Sequence, residues 1–396
     1  MNRGLGFFWT IVLARTLGVA GFGEYTYLIA LVTLTSAFAE GGFTAIVSRD
    51  VATDPVQLER MVPTAMGLTI AFNVVAMIIT LVIAWADTPT PTRLLGAGLI
   101  ACYLPLNGAF NVVSAVFRGS DRFHYDSAFN IIQFLLFALL SGLALLLGWG
   151  VLGVLGAYVV RQIVTLIGTA VLCERRIGPV RIGWDRDARK YLLTEGLPLM
   201  LSTAAAQVYI RVDIIVLSFF AGTSAVGIYS IASRFIDTLT TGASALGFAA
   251  LPFFATTMRD APQQVRAITR RASRQVLGIA VMGAIAGIAV SPFLIRRLYG
   301  LPFAAAGHVL QLLLVTVPFY AVSQVLATLL IAEGRQRTLA YVYGGATALS
   351  VVLNVLFAPS MSYYGSAVAA IGTSAVVGVA LWLKAHREEH GGIRYV

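Results

Sequence analysis

The chain has 396 residues, of which 58% are hydrophobic and 12% charged, with a mean hydropathy of +0.83 and a formal net charge of +10. Ordinary globular domains carry about 25% charged residues, so this composition excludes a soluble domain of that kind. The apolar stretches are mostly 20 residues or longer and lack period-2 alternation. They fit helices crossing a hydrocarbon core of roughly 30 Å and exclude an outer-membrane barrel.

Twelve spans are predicted, near residues 3–18, 23–45, 62–86, 94–117, 127–148, 151–172, 191–220, 225–251, 276–298, 303–331, 338–358 and 363–384. The first is short. Met1-Asn2-Arg3 followed by Gly4 to Leu17 has the outline of a signal peptide, but no good small-residue cleavage site precedes the next span. A first helix that starts upstream of Met1 is the preferred reading. The polar stretch CERRIGPVRIGWDRDARK, residues 173–190, reads as a linker between two halves. The expected organisation is therefore a six-helix bundle over 1–172, the linker, a second six-helix bundle over 191–385, and a tail over 386–396. A second polar segment, Thr256 to Gln275, has basic residues at helical spacing and is expected to include an interfacial helix. Its cations anchor topology or attract anionic headgroups at about 1 kcal/mol each. Interior prolines, Pro105, Pro198, Pro252, Pro292 and Pro318, are candidate kinks or helix ends.

The positions of the 28 basic residues set the orientation. With the N-terminus inside, 21 fall in cytoplasmic segments, four in outer segments (Arg15, Arg93, Arg296, Arg297) and three inside spans (Arg161, Arg211, Arg234). This asymmetry places both termini in the cytoplasm. It also accounts for the net charge without a nucleic-acid partner.

An internal repeat runs through the chain. Gly18, Gly23 and Tyr25 recur 204 residues later as Gly222, Gly227 and Tyr229, and Gly119, Arg122 and Gly150 recur 215 residues later as Gly334, Arg337 and Gly365. An insertion within 256–275 accounts for the change of offset. Repeated hydrophobic halves are a transporter construction, with a substrate site at the interface between repeats. The Gly-x4-Gly-x-Tyr turns are expected to serve close packing between consecutive helices.

Catalytic chemistry finds little support. Cys102 and Cys173 make no metal-ligand spacing, and His124, His308, His386 and His390 are scattered. There is no Walker motif for ATP hydrolysis, no Ser-His-Asp pattern and no cofactor fingerprint.

Three patches carry a family resemblance. ARTLGVAGFGEYTYLIALVTLTSAFAEGGFTAIVSRDVA, from Ala14 to Ala52, resembles the start of polysaccharide-biosynthesis flippases of the multidrug/oligosaccharidyl-lipid/polysaccharide exporter superfamily. VDIIVLSFFAGTSAVGIYSIASRF, from Val212 to Phe235, resembles that family's Asp in the seventh helix, Gly turn, Gly-x-Tyr and a basic residue in the eighth. LNVLFAPSMSYYGSAVAAIGTSA, from Leu353 to Ala375, resembles its Leu-Asn, Pro, Tyr-Gly and small-residue run. The resemblance covers nearly the whole chain. It implies an all-α polytopic membrane protein with two pseudo-symmetric six-helix bundles around a central cavity. The implied cargo is a polyprenyl-pyrophosphate-linked oligosaccharide, flipped across the bacterial cytoplasmic membrane by alternating access. Glycosyltransferases and a polysaccharide polymerase are the implied neighbours, and a monomer suffices.

Charges at membrane depth are the candidate site residues, because an ionised group at the bilayer centre costs about 3 kcal/mol and usually faces a cavity or a partner. Arg211 and Arg234 lead, followed by Arg161, which has Tyr158, Gln162 and Thr165 on neighbouring helical faces. A planar guanidinium fork suits a pyrophosphate at any physiological pH. Internal pairing is the competing reading: Arg234 with Asp237 on one helix, and Asp213 with Arg211 or Arg234. Asp213 is otherwise a proton or cation site. Arg49 and Arg118 lie at the cytoplasmic mouth, either as first contacts for an anionic cargo or as snorkelling residues near helix ends. Glu24 and Glu40 flank the second span as gate or topology residues. Two other functions stay open at this level: a cation-coupled multidrug or metabolite antiporter of the same superfamily, and a non-transporting scaffold for glycan assembly.

Overall fold

The structure is a computed structural model that describes residues 2–386 apart from 41, 55, 56, 88, 89 and 261. Its described elements are helical: α1 (Asn2–Ala39), α2 (Phe43–Thr53), α3 (Gln57–Ala86), α4 (Pro91–Gly119), α5 (Phe123–Leu146), α6 (Gly150–Arg176), α7 (Arg186–Asp260), α8 (Pro262–Tyr299), α9 (Ala304–Leu314), α10 (Thr316–Ala332), α11 (Gln336–Met361) and α12 (Tyr363–His386), with one 3-10 turn at Leu301–Phe303. Among the described residues, nine helices and one pair bent by 41°, Leu301–Leu314 with Thr316–Ala332, are long and apolar enough to cross a membrane. Two of the nine, α1 and α7, are interrupted at Gly18 and Gly222. Dividing them there separates twelve apolar segments, as the sequence predicts.

The two interruptions share one backbone conformation. Gly18 has φ 68° and ψ −178°, and Gly222 has φ 76° and ψ 178°, a region open essentially to glycine alone. A Cβ at either position would meet nothing within 4 Å. These glycines therefore serve the backbone, which corrects the close-packing role expected for them, and the 204-residue echo is a repeat of structure. The second echo marks equivalent turns. In the α4–α5 turn, Arg122 donates to the Arg176 carbonyl at the end of α6 (3.0 Å); in the α10–α11 turn the corresponding donor is Arg335, two residues before the echoed Arg337, which reaches the Lys384 carbonyl in the last turns of α12 (3.2 Å). Each cation occupies a carbonyl near a helix C-terminus, where intrahelical donors run out.

The chain forms two compact units, divided between Arg211 and Val212. In the first, α4 packs against α1, α2, α3, α5 and α6. It starts at Pro91, and the Thr90 hydroxyl accepts the Arg93 N–H (3.2 Å), a cap followed by proline at the first helical position. Phe43, Ile46 and Val47 of α2, Met61 and Ala65 of α3, and Val112, Val116 and Phe117 of α4 form a fully buried core. Arg93, counted with the outer-segment cations above, is 3% exposed. Its Nε and Nη2 reach both oxygens of Glu24 (3.0 and 3.2 Å), its Nη1 reaches the Asp87 carboxylate (2.9 Å) and carbonyl (2.7 Å), and its guanidinium lies 4.8 Å from the centre of the Tyr27 ring.

In the second unit, Pro292 inside α8 removes the N–H that Ile288 would have used. Gln311 of α9 supplies a replacement, donating to the Ile288 carbonyl at 3.0 Å. The interfacial helix expected within 256–275 is not a separate element: α7 runs to Asp260 and α8 begins at Pro262. Between the halves, helix occupies much of the polar stretch, since α6 continues to Arg176 and α7 begins at Arg186, where the Asp185 carboxylate caps the Ala188 N–H (2.8 Å).

Candidate functional site

On α4, Tyr103, Asn107, Asn111 and Arg118 recur at intervals of four, four and seven residues, which places them on one helical face. Tyr103 donates to Asn107 Oδ1 (2.9 Å), Asn111 Nδ2 donates to Glu40 Oε1 (3.0 Å), and Arg118 pairs with Asp126 of α5 (3.3 Å). Along α5, Asp126, Asn130, Gln133 and Phe137 follow the same periodicity. Asn130 donates to the Asp126 carbonyl (2.8 Å), and Gln133 Nε2 donates to Gln162 Oε1 (3.4 Å) and Thr165 Oγ1 (3.3 Å) of α6. The first unit thus carries a ladder of polar groups from Arg118 and Asp126, near the ends of their helices, to Arg161 on α6.

Arg161 lies eleven residues into α6, about 16 Å along the helix axis. Three rings surround its guanidinium, with centres at 4.3 Å (Tyr158), 5.4 Å (Phe137) and 6.0 Å (Tyr103). The Tyr158 hydroxyl is 3.4 Å from that of Tyr25. No carboxylate pairs with Arg161 among the described residues, and its buried Nε has no hydrogen-bond partner. The Gln162 Nε2 beside it is buried and unpartnered as well. An aromatic cage retains a cation by its ring faces, about 0.5–2 kcal/mol for such contacts, and leaves that cation without a counter-anion. Chemically, such a cation can accept an anionic group, and the amides and hydroxyls of the ladder can exchange hydrogen bonds with a hydroxyl-rich molecule.

The other sequence candidates lie elsewhere. Arg118 belongs to the ladder. Arg49 forms a separate cluster, pairing with Asp50 (2.7 Å) and donating to the Tyr191 hydroxyl (2.6 Å). Arg211 and Asp213 stand on α7 on either side of the division between units. Asp213 accepts the Tyr229 hydroxyl at 2.6 Å and the Ile214 N–H at 2.8 Å. Arg234, half-buried, is close enough to Tyr299 of α8 to act electrostatically on its phenol. Asp237 lies on the same helix, its carbonyl accepting the Thr241 hydroxyl (2.7 Å). Glu40, read above as a gate or topology residue, is a rung of the ladder through Asn111. Tyr103, Asn107, Asn111 and Gln133 were not singled out by sequence; the available signal was their polar recurrence at helical spacing inside apolar spans.

The family model for polysaccharide biosynthesis proteins matches residues 1–258, and the MatE model matches residues 198–356. Among solved structures, the chain is similar to "Lipid II flippase MurJ, inward closed conformation" (TM-score 0.78, 14% identity, covering 97% of this chain and 85% of that one). It is also similar to an inward-facing multidrug resistance MATE family transporter of the MOP superfamily (TM-score 0.75, 13% identity, 96% and 93%) and to a MOP superfamily transporter from Pyrococcus furiosus (TM-score 0.66, 14% identity, 98% and 93%). No curated protein matches. The fold shared with these structures is all-α and built as two six-helix bundles, and the described helices that are long and apolar enough to cross a membrane make the chain a multi-pass membrane protein. The chain belongs to the polysaccharide biosynthesis protein family.

Proposed function

We propose that the protein flips a polyprenyl-pyrophosphate-linked oligosaccharide from the inner to the outer leaflet of a bacterial cytoplasmic membrane by alternating access, for cell-surface polysaccharide synthesis. The observation that carries this reading is Arg161, a cation at membrane depth with three aromatic rings and no counter-anion among the described residues, at the end of a ladder of amides and hydroxyls. Sugar hydroxyls and a charged diphosphate must avoid hydrocarbon, whereas the polyprenyl tail can stay in it. The ladder offers partners to the sugar hydroxyls, and Arg161 offers one to the diphosphate. Arg211, Arg234, Arg49 and Arg118 are further candidate contacts for the anion. The charge asymmetry supports cytoplasmic termini, and glycosyltransferases and a polymerase are the partners this chemistry requires before and after the flip. A monomer contains both bundles.

The test is flipping in proteoliposomes, read as accessibility of a lipid-linked oligosaccharide to a membrane-impermeant lectin. Protein-dependent exposure that a soluble pyrophosphoryl sugar inhibits is the expected result. Its absence with correctly inserted protein would overturn the proposal. The MatE match over 198–356 and the Asp213–Tyr229 pair favour a second reading, cation-coupled export of small molecules. Proton- or sodium-driven efflux of an organic cation from the same vesicles, without glycan flipping, would select it.

A further inference from the structure

The segment joining α6 to α7 is a strap tied to α3 by backbone and side chain alike. Gly183 donates its N–H to the Pro63 carbonyl (3.0 Å), and Asp185 donates its N–H to the Thr64 hydroxyl (3.1 Å). Arg60 pairs with Asp185 (3.1 Å) and Asp187 (2.9 Å). Ile177 and Val180 pack on the core shared by α2, α3 and α4. The strap therefore has a fixed inner face and a fixed outer one. Its outer face displays Ile182 and Trp184, 63% and 59% exposed.

The strap's depth follows from α3. A Cβ on Gly67 would come within 3.0 Å of the Gly183 carbonyl and 3.2 Å of the Trp184 indole. Gly67 lies seven residues beyond Arg60, the last charged residue before the apolar run of α3, about 10 Å along the axis. The indole thus lies past the charged rim of α3 and against the start of its apolar run, the polar–apolar boundary that tryptophan favours in membrane proteins. Around it Arg175, Arg176, Arg181, Arg186, Arg189 and Lys190 are all exposed. Asp185 and Asp187 share Arg60, so with Arg60 counted seven cations face the three carboxylates of this stretch, Glu174, Asp185 and Asp187, an excess of four positive charges.

We propose that this strap is a binding surface for anionic phospholipid on the membrane face that carries the basic loops, with Ile182 and Trp184 wedged at the acyl boundary and the cations gathered on lipid phosphates. Depth favours lipid over a soluble partner, and charge complementarity favours anionic over zwitterionic headgroups. The surface is independent of the cargo reading, since its partner is the membrane itself.

Full-length protein in nanodiscs tests it. Subtracting the emission of Trp184→Phe from that of the wild type isolates one indole. Quenching by phosphatidylglycerol bearing a doxyl group at carbon 5 is then compared with quenching by the matching phosphatidylcholine and by aqueous iodide. An anionic surface gives each nearby cation about a fivefold preference, so the anionic label is expected to quench Trp184 at least fivefold more effectively than the zwitterionic one. The quadruple variant Arg181→Gln, Arg186→Gln, Arg189→Gln and Lys190→Gln is expected to abolish that difference while lipid quenching persists. Equal quenching by both lipids in the wild type, or a preference unaltered in the quadruple variant, overturns the proposal. So does quenching by iodide without quenching by lipid, the result expected of a surface that meets water or a soluble partner.

Discussion

Replacing Arg161 by methionine separates binding from stability, because the structure predicts opposite consequences for the two. The buried Nε without a partner costs the folded state about 1–3 kcal/mol. The three ring contacts, at 4.3–6.0 Å, return about 0.5–2 kcal/mol. Methionine is unbranched and polarisable and fills the same cage against the same rings, so the net change in stability is expected to lie within about 1 kcal/mol of zero. Transport is another matter. A charge-assisted hydrogen bond to an anion is worth about 1.5–3 kcal/mol, so the apparent affinity for lipid-linked oligosaccharide is expected to fall roughly 10- to 150-fold. Arg161→Lys keeps the charge and loses the fork, and is expected to fall between. Thermal unfolding in detergent and initial flipping rates at several substrate densities measure the two quantities on one preparation. Flipping by Arg161→Met at the wild-type rate would remove Arg161 from the substrate path. A stability loss above about 3 kcal/mol would show that the cage holds the fold together rather than a cargo.

Arg93→Met is expected to behave in the contrary way, destabilising the protein by about 3–5 kcal/mol because it strands Glu24 and Asp87 without their shared cation; thermal unfolding beside Arg161→Met makes the contrast direct. Gly18→Ala and Gly222→Ala are each expected to cost about 1–3 kcal/mol through backbone strain alone, since the space for the methyl is open, and equal costs at the two sites would express the repeat. Gln311→Leu, which withdraws the side-chain amide from the Ile288 carbonyl but leaves it the Ser291 hydroxyl at 3.2 Å, is expected to lower stability by about 0.5–1.5 kcal/mol in the same assay. The Ala188 N–H and the Arg60 guanidinium hold the Asp185 carboxyl below the usual carboxylate range. Its contribution is therefore complete above the unfolded value near 3.9 and lost as pH falls through the lower folded value. Trp184 emission is expected to change below about pH 4 in the wild type, and Asp185→Asn is expected to show the loosened strap already at neutral pH.

Much of the fold was legible because membrane burial imposes a length and a composition. Twelve apolar segments, their repeat and the basic bias of one side are all statements about single stretches of chain. Part of the site was legible for a similar reason: Tyr158, Arg161, Gln162 and Thr165 are neighbours on a helix by period alone. The rungs on α4 followed the same period, yet asparagines within a span carry no label that distinguishes a lining face from an interhelical contact. Arg93 shows the limit most clearly. By position it is one more basic residue between two spans, and the meeting of α1, α3 and α4 puts Glu24 and Asp87 on it.

The sequence by itself determined that this protein crosses a membrane many times, that its halves are related, and that arginine is its interior cation, since these follow from the cost of placing polar groups in hydrocarbon. Tertiary structure alone decided which arginines are neutralised. Glu24 is 69 residues from Arg93, and Asp187 is 127 residues from Arg60. Arg161 met rings from α4 and α5 and, among the described residues, no carboxylate. Electrostatic partnership depends on distance in space, and helix packing brings together groups that the chain keeps far apart.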